Sequence, residues 1–117
     1  MGRLTTHVLD IAQGIPAAGV QIVLNRVAGE QRDAIARKVT NRDGRADQPI
    51  LEGDAFGAGT YELVFDVGEY FRNQPLDVRH PPFLDIVTIR FTVADPGEHC
   101  HVPLLVSPWA YSTYRGS

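Results

Sequence analysis

The sequence predicts an all-β domain, a two-sheet antiparallel sandwich of about eight strands with one short helix. Three observations predict this class. Eleven Gly and eight Pro divide the chain into apolar segments of strand length. Several of these segments alternate apolar and polar residues with a period of two. Turn-forming residues recur about every ten positions, a spacing typical of sandwiches.

The first half of the chain is expected to supply four strands. They cover residues 4–10, 20–27, 34–41 and one short edge segment within 47–59. Residues 14–19 are expected to form a loop because Pro16 cannot donate to a strand ladder. The turn signal Asn41-Arg42-Asp43-Gly44 indicates a hairpin or corner after the third strand.

The second half is expected to supply four more strands and the helix. The strands cover residues 60–67, 86–93, 101–107 and 110–115. The residues of strand 60–67 that alternate toward the core are Tyr61, Leu63, Phe65 and Val67. The stretch Glu69 to Gln74 has local helical potential, and Pro75 limits it to about two turns.

Composition limits the class and the partners of the protein. A chain of 117 residues, of which 44% are hydrophobic and 21% charged, fits one globular domain over 1–117. The single cysteine, Cys100, excludes an intrachain disulfide. A net charge of -3 disfavours nucleic acid and anionic membrane surfaces as partners. No apolar run approaches the ~20 residues that span a bilayer, so a soluble, cytoplasmic protein is expected.

The segment His99-Cys100-His101 carries two titratable side chains on one strand face. Side chains alternate along a strand, so His99 and His101 project together and Cys100 takes the core side. Two such imidazoles can share a proton or a metal ion. From this segment alone, two exposed histidines without a shared task is the simpler interpretation, because no Asp, Glu or second Cys lies at ligand spacing.

Three further positions could carry chemistry. His7 alternates with Val8 and is therefore expected off the core side of its strand. Arg45 follows the turn at Gly44 and places a planar, permanent cation at a strand start. The simpler interpretations are a structural histidine and a solvated arginine. Ser117 ends an aromatic tail that is expected to be ordered, since chain ends usually fray.

Three separate motifs resemble one family. They are Leu4-Thr5-Thr6-His7-Val8-Leu9-Asp10, Asn41-Arg42-Asp43-Gly44-Arg45 and the closing Tyr114-Arg115-Gly116-Ser117. The chain resembles the 5-hydroxyisourate hydrolases, which are transthyretin-like enzymes of urate breakdown. The likeness runs end to end and includes segments 16–20 and 101–105. The closing motif is the most discriminating, because it separates the hydrolases from transthyretin, the hormone carrier of the same fold.

The resemblance implies a fold, an assembly and a site. It implies a transthyretin-like β-sandwich that pairs into dimers and then into a homotetramer, a dimer of dimers, with active sites along a central channel. The catalytic set would be His7, Arg45, His101 and Ser117. The substrate-binding residues would be Tyr114, Arg115, Gly116 and His99. The reaction would be metal-free hydrolysis of a cyclic amide in a small purine-derived substrate, with no cofactor.

Two residues depart from the pattern of the family, and a third is unusual for a strand. Cys100 stands where the family commonly has an aromatic residue, and Trp109 occupies a loop position that is often Gly or another aromatic. Pro103 lies within a strand and is expected at a bulge or an unpaired edge position. Two alternatives remain open: a carrier that binds an aromatic ligand in the channel without chemistry, and a metal-binding module built on the two neighbouring histidines. A carrier has no need for the whole catalytic set.

Overall fold

A computed structural model describes residues 2–116, and within them nine strands form two sheets around one core. The strands are β1 (Arg3–Asp10), β2 (Ile15–Pro16), β3 (Gln21–Ala28), β4 (Gln31–Val39), β5 (Leu51–Glu52), β6 (Gly59–Asp66), β7 (Ile86–Val93), β8 (Cys100–Val106) and β9 (Tyr111–Thr113). The helix α1 covers Val67–Arg72, and a 3₁₀ turn covers Gly53–Ala55. Neither helical segment in this part of the chain is long and apolar enough to cross a membrane.

The topology brings the start of the chain beside its end. One sheet has the order β2-β1-β8-β9, with β5 also paired to β1, and the other has the order β4-β3-β6-β7. All pairings are antiparallel except that of β1 with β8, which runs in parallel from Leu4 opposite Cys100 to Asp10 opposite Val106. The sandwich prediction is confirmed, and the antiparallel prediction is wrong for this one pair.

The core consists mainly of the alternate residues that face inward from both sheets, together with buried residues of α1. Its largest fully buried side chains are Tyr61, Phe65, Phe71, Leu4, Ile22, Leu24, Leu63, Leu104, Val8, Val20, Val67 and Val87. Burying each such side chain contributes about 1.5–3 kcal/mol. Because alternation fixes Val8 and Val102 inward, the neighbours His7 and His101 must project from the outer face of the β1–β8 sheet. Cys100 is buried, as the alternation predicts.

Several element boundaries differ from the sequence prediction, and the strand expected at 34–41 covers Gln31–Val39. Val67 was expected at the end of an inward-facing strand, but it is the first residue of α1 and is fully buried there. The helix therefore begins two residues before the expected Glu69. Asp66 causes the early start, because its carboxylate accepts a hydrogen bond from the Glu69 backbone at 3.2 Å and caps the helix.

The structure at two prolines, Pro16 and Pro103, also differs from the sequence prediction. Ile15 and Pro16 pair with the end of β1 as a two-residue strand inside the expected loop. Pro103 was expected at a bulge or an unpaired edge position, and the β1–β8 register runs past it without a shift. Its carbonyl accepts a 2.7 Å hydrogen bond from Thr113 Oγ1, so its backbone faces β9, where pairing begins only at Leu104. The predicted bulge is therefore wrong. The N–H that Pro103 lacks lies at a position where β9 does not pair with β8.

Candidate active site

The outer face of the parallel β1–β8 pair carries the polar side chains that the core excludes. Thr5 and His7 project there from β1, and His101 projects from β8. The register places Thr5 directly opposite His101 and His7 opposite Pro103. Residues 96 positions apart in the sequence are therefore neighbours on one surface. The face predicted for His7 and His101 is confirmed.

Arg45 is positioned by a turn that Asn41 organises. The Asn41 side-chain oxygen accepts hydrogen bonds from the backbone of Asp43 at 2.9 Å and of Arg45 at 3.2 Å. Its backbone N–H donates to the Arg45 carbonyl at 2.7 Å, and its amide nitrogen donates to Asp47 at 2.9 Å. The turn predicted at 41–44 is thus closed by local bonds that fix the direction in which the chain leaves it.

The turn is pinned to β1 at Gly44. The Gly44 carbonyl accepts a 2.8 Å hydrogen bond from the Val8 N–H, and its φ of +77° lies in the left-handed region that glycine favours. A Cβ at this position would overlap the Val8 carbonyl oxygen and lie 3.3 Å from Cδ2 of His7. Glycine therefore permits the turn to lie directly on β1 beside the His7 ring.

The same turn determines which ring nitrogen of His7 carries a proton. Its Nε2 lies 2.8 Å from the Asp43 carbonyl oxygen. A carbonyl can only accept, so Nε2 carries the proton and Nδ1 of the neutral ring is the nitrogen that can accept one. The turn thus orients His7 and sets its tautomer.

A cavity of about 430 Å³ opens over the row formed by Thr5 and His101. Its lining residues are Arg3, Thr5, Thr6, Arg45, Ala46, Asp47, Gln48, Pro49, Ile50, His99 and His101. Two guanidinium groups and two imidazoles therefore share one space with a single carboxylate. Such a lining favours a ligand rich in oxygen or carrying negative charge.

The environment lowers the pKa of His101. Partial burial is the largest cause, followed by the positive charges of Arg45 and His7, while a hydrogen bond with the Thr5 backbone acts in the opposite sense. With a pKa below the ordinary value of about 6.5, the imidazole is neutral at pH 7 and able to take up a proton.

The C-terminal tail meets the site at Gly116. Its N–H donates to the His101 carbonyl at 2.8 Å, and a Cβ built on it would lie 2.6 Å from Cδ2 of the His101 ring. Arg115 instead pairs with Glu98 at 3.1 Å, and exposed Tyr114 lines a different cavity of about 220 Å³ together with Cys100. Ser117 lies outside the described residues.

The structure thus groups only part of the set that the resemblance implied. The residues brought together are His7, Arg45, His99, His101 and Gly116. The substrate-binding roles of Tyr114 and Arg115 stay predictions, because neither side chain lines the 430 Å³ cavity. Within residues 2–116, no three His, Cys, Asp or Glu side chains cluster as a metal site would require.

Similarity to known proteins covers the whole domain. A family model described as the HIUase/Transthyretin family matches residues 4–116. The chain belongs to this family. It is 55% identical to the 5-hydroxyisourate hydrolase of Pseudomonas aeruginosa over 117 residues, which cover 100% of this chain and 93% of that protein.

Solved structures in the same fold confirm the architecture. The crystal structure of (S)-allantoin synthase matches with a TM-score of 0.93 and 46% identity, over 99% of this chain. This chain spans 44% of the length of that protein. Sea bream transthyretin in complex with thyroxine matches with a TM-score of 0.86 and 28% identity, over 97% of this chain and 94% of its own. The transthyretin-like sandwich predicted from the sequence is therefore confirmed.

Two residues at the site were not singled out by the sequence analysis. Thr5 contacts His101, and Asn41 closes the turn that carries Arg45. Strand alternation places Thr5 on the same face as His7, so a signal for it existed in the first motif. The contact itself depends on the parallel register of β1 with β8, which local sequence does not encode.

Proposed function

We propose that this protein is a cyclic amide hydrolase that converts 5-hydroxyisourate to 2-oxo-4-hydroxy-4-carboxy-5-ureidoimidazoline in urate breakdown toward allantoin. The observation that carries the proposal is the convergence of His7, Arg45 and His101 from three separate segments on one sheet face. The full-length identity to the Pseudomonas aeruginosa hydrolase supports it. The fold alone would not support the proposal, because a transthyretin has the same fold.

The two imidazoles activate the attacking water. The lowered pKa of His101 keeps its ring neutral at pH 7, so that this ring can take up a proton. In His7 the Asp43 carbonyl holds Nε2, so Nδ1 is the nitrogen that faces away from this hydrogen bond. One imidazole removes a proton from water as the oxygen attacks the lactam carbonyl. General-base assistance of this kind contributes ~10² to 10⁴ in rate.

Arg45 stabilises the charge that develops on the substrate. As water adds, the carbonyl oxygen becomes negative, and a planar guanidinium can hold it through two parallel donors. The carbon–nitrogen bond of the lactam then breaks, and the departing nitrogen takes a proton from the imidazole pair. The product gains a carboxylate. Ser117 orients the substrate or the water, and all of these steps use side chains alone.

The proposal includes a homotetramer around a central channel. Large apolar side chains are exposed on the β1–β8 sheet and its connecting turns: Ile11 at 51%, Ile15 at 43%, Trp109 at 58% and Tyr111 at 45%. Exposed apolar residues grouped in this way are typical of surfaces that other subunits cover. A cytoplasmic location stays a prediction from the sequence.

The test is a spectrophotometric assay. Purified protein is mixed with freshly generated 5-hydroxyisourate, and the decay of its absorbance is compared with the spontaneous decay. We expect clear acceleration at catalytic protein concentrations. Spontaneous decay in the presence of protein, with stoichiometric binding of the compound, would identify a carrier instead.

A further inference from the structure

Thr5 makes a direct contact with His101 that the mechanism above does not use. Its Oγ1 lies 2.8 Å from Nδ1 of the ring, and both side chains are partly buried. The β1–β8 register sets the two residues opposite each other. The adjacent Thr6 donates to the Val102 carbonyl at 2.6 Å and is buried, which ties the two strands together at this row.

The other edge of the ring is also occupied. Gly116 lies against Cδ2 of His101, so close that a Cβ there would be 2.6 Å from that atom. With Nδ1 held by Thr5 and Cδ2 covered by Gly116, the remaining edge of the ring is Nε2 and Cε1. His101 lines the 430 Å³ cavity, so this edge is the one that can meet a ligand.

We propose that Thr5 is a positioning residue, whose hydroxyl holds the His101 ring with Nε2 toward the cavity in either tautomer. This inference rests on the proposed function. A hydroxyl can donate to an unprotonated Nδ1 or accept from a protonated one. Nε2 can therefore act as proton acceptor or proton donor while the ring stays in place.

The contrast with His7 shows what the hydroxyl adds. The Asp43 carbonyl accepts only, so it holds the His7 ring in one tautomer. Thr5 imposes no such choice on His101. Hydrolysis needs a group that takes a proton from water and a group that returns one to the leaving nitrogen. A ring that changes tautomer without moving suits the second task.

The charged and titratable side chains that face His101 also influence its pKa. Arg45 and His7 act on its pKa directly, and the other charged or titratable side chains lining the cavity are Arg3, Asp47 and His99. None of these is altered by a change at Thr5. A shift in the titration of His101 on substitution of Thr5 therefore reports the hydroxyl contact itself.

Three variants test the assignment. Thr5→Val removes the hydroxyl with little change in shape, and Thr5→Ser keeps it. Thr113→Val is the matched control, because it deletes a threonine hydrogen bond to the β8 backbone without touching a histidine. The measurements are an NMR titration of the His101 imidazole nitrogens, which gives the pKa and the tautomer, and kcat and KM across pH.

In Thr5→Val we expect the pKa of His101 to fall, because the protonated ring loses the oxygen that accepts from its Nδ1. We expect kcat to drop about tenfold or more with little change in KM, the scale seen when an outer partner of a functional histidine is lost. Thr5→Ser should restore both, and Thr113→Val should change neither.

If Thr5→Val does not fold, Thr5→Ala removes the same bond. An unchanged pKa and kcat in the hydroxyl-free variant, or a serine variant as impaired as valine, would overturn the proposal. The titration needs no turnover, so a wild-type protein that fails to hydrolyse 5-hydroxyisourate counts against the proposed function alone.

Discussion

At the residue scale, His7 and His101 have different surroundings although both project from one sheet face. His7 is bonded to a backbone carbonyl of the 41–45 turn, while His101 is bonded to a side-chain hydroxyl and packed on Gly116. Neither ring fills the core, because the inward positions belong to Val8 and Val102. Substitution of either histidine should therefore affect chemistry far more than folding.

The first prediction concerns the histidine pair. His7→Ala and His101→Ala should each lower kcat/KM by ~10² to 10⁴, because each removes proton transfer. The double variant should be little worse than either single variant, as expected for groups that act as a unit. Exposed His80, outside the cavity, provides the control His80→Ala with wild-type rate. A near-wild-type rate in His101→Ala, or a collapse of Tm in both single variants, would show that the histidines are structural.

The second prediction concerns the charge of Arg45. Its positive charge lowers the pKa of His101, so Arg45→Gln should raise that pKa toward the ordinary value of about 6.5. Arg45→Lys keeps the charge and should leave the pKa near its wild-type value, yet fail to restore the rate, because an ammonium cannot bind two oxygens in one plane. NMR titration of His101 checks the pKa values, and kcat/KM checks the rates of the two variants. A fall of the His101 pKa in Arg45→Gln would contradict this account.

At the scale of elements, the site depends on one turn lying on one strand. The 41–45 turn holds His7 through the Asp43 carbonyl, directs Arg45 and bonds to Val8 through Gly44. The element itself, not any single side chain, sets the distance between the cation and the imidazole.

The third prediction isolates this contact with two glycines of similar conformation. Gly29, in the β3–β4 turn, has a φ of +63° and open space around it, whereas Gly44 has a φ of +77° and no room for a methyl group. Gly29→Ala should lower the free energy of unfolding by about 1 kcal/mol through backbone strain alone. Gly44→Ala should lower it further and also lower kcat/KM. Equal stability losses in urea unfolding, with activity retained in both, would show that the turn does not position the site.

Local sequence predicted the elements that depend on alternation. Residues 86–93 were expected as a strand and form β7 with the same bounds. Prediction from local sequence failed where a helix cap or a distant strand partner determines the structure. Asp66 sets the start of α1, and pairing with β1 makes a two-residue strand at Ile15. Ile35, in β4, is exposed beside a register shift in the β3–β4 pairing, an irregularity that no turn signal marks.

At the scale of the whole molecule, the site is a product of topology. The parallel pairing of β1 with β8 and the bridge from His101 to Gly116 join the two ends of the chain. The faces of His7 and His101 followed from alternation alone. Their grouping with Arg45 came from the resemblance, and the contact of Thr5 with His101 required the register. Tyr114 lines a different cavity and Arg115 pairs with Glu98, so neither side chain lines the cavity over His101.

The fourth prediction concerns assembly. Light scattering should give a mass about four times the 12.9 kDa of one chain, because the exposed apolar residues around Trp109 and Ile15 need cover. A double change of these two residues to polar ones should shift the species toward smaller assemblies while the circular dichroism stays that of a sandwich. A single wild-type species of 12.9 kDa at working concentration would contradict it.

We predict that His7, Arg45 and His101 hydrolyse 5-hydroxyisourate through side chains alone. The most direct measurement is the initial rate of 5-hydroxyisourate decay with chelator-treated protein, beside the double variant His7→Ala/His101→Ala. We predict an undiminished wild-type rate in chelator and a variant rate close to spontaneous decay. A wild-type rate lost in chelator and restored by zinc, or a double variant as fast as wild type, would contradict the account.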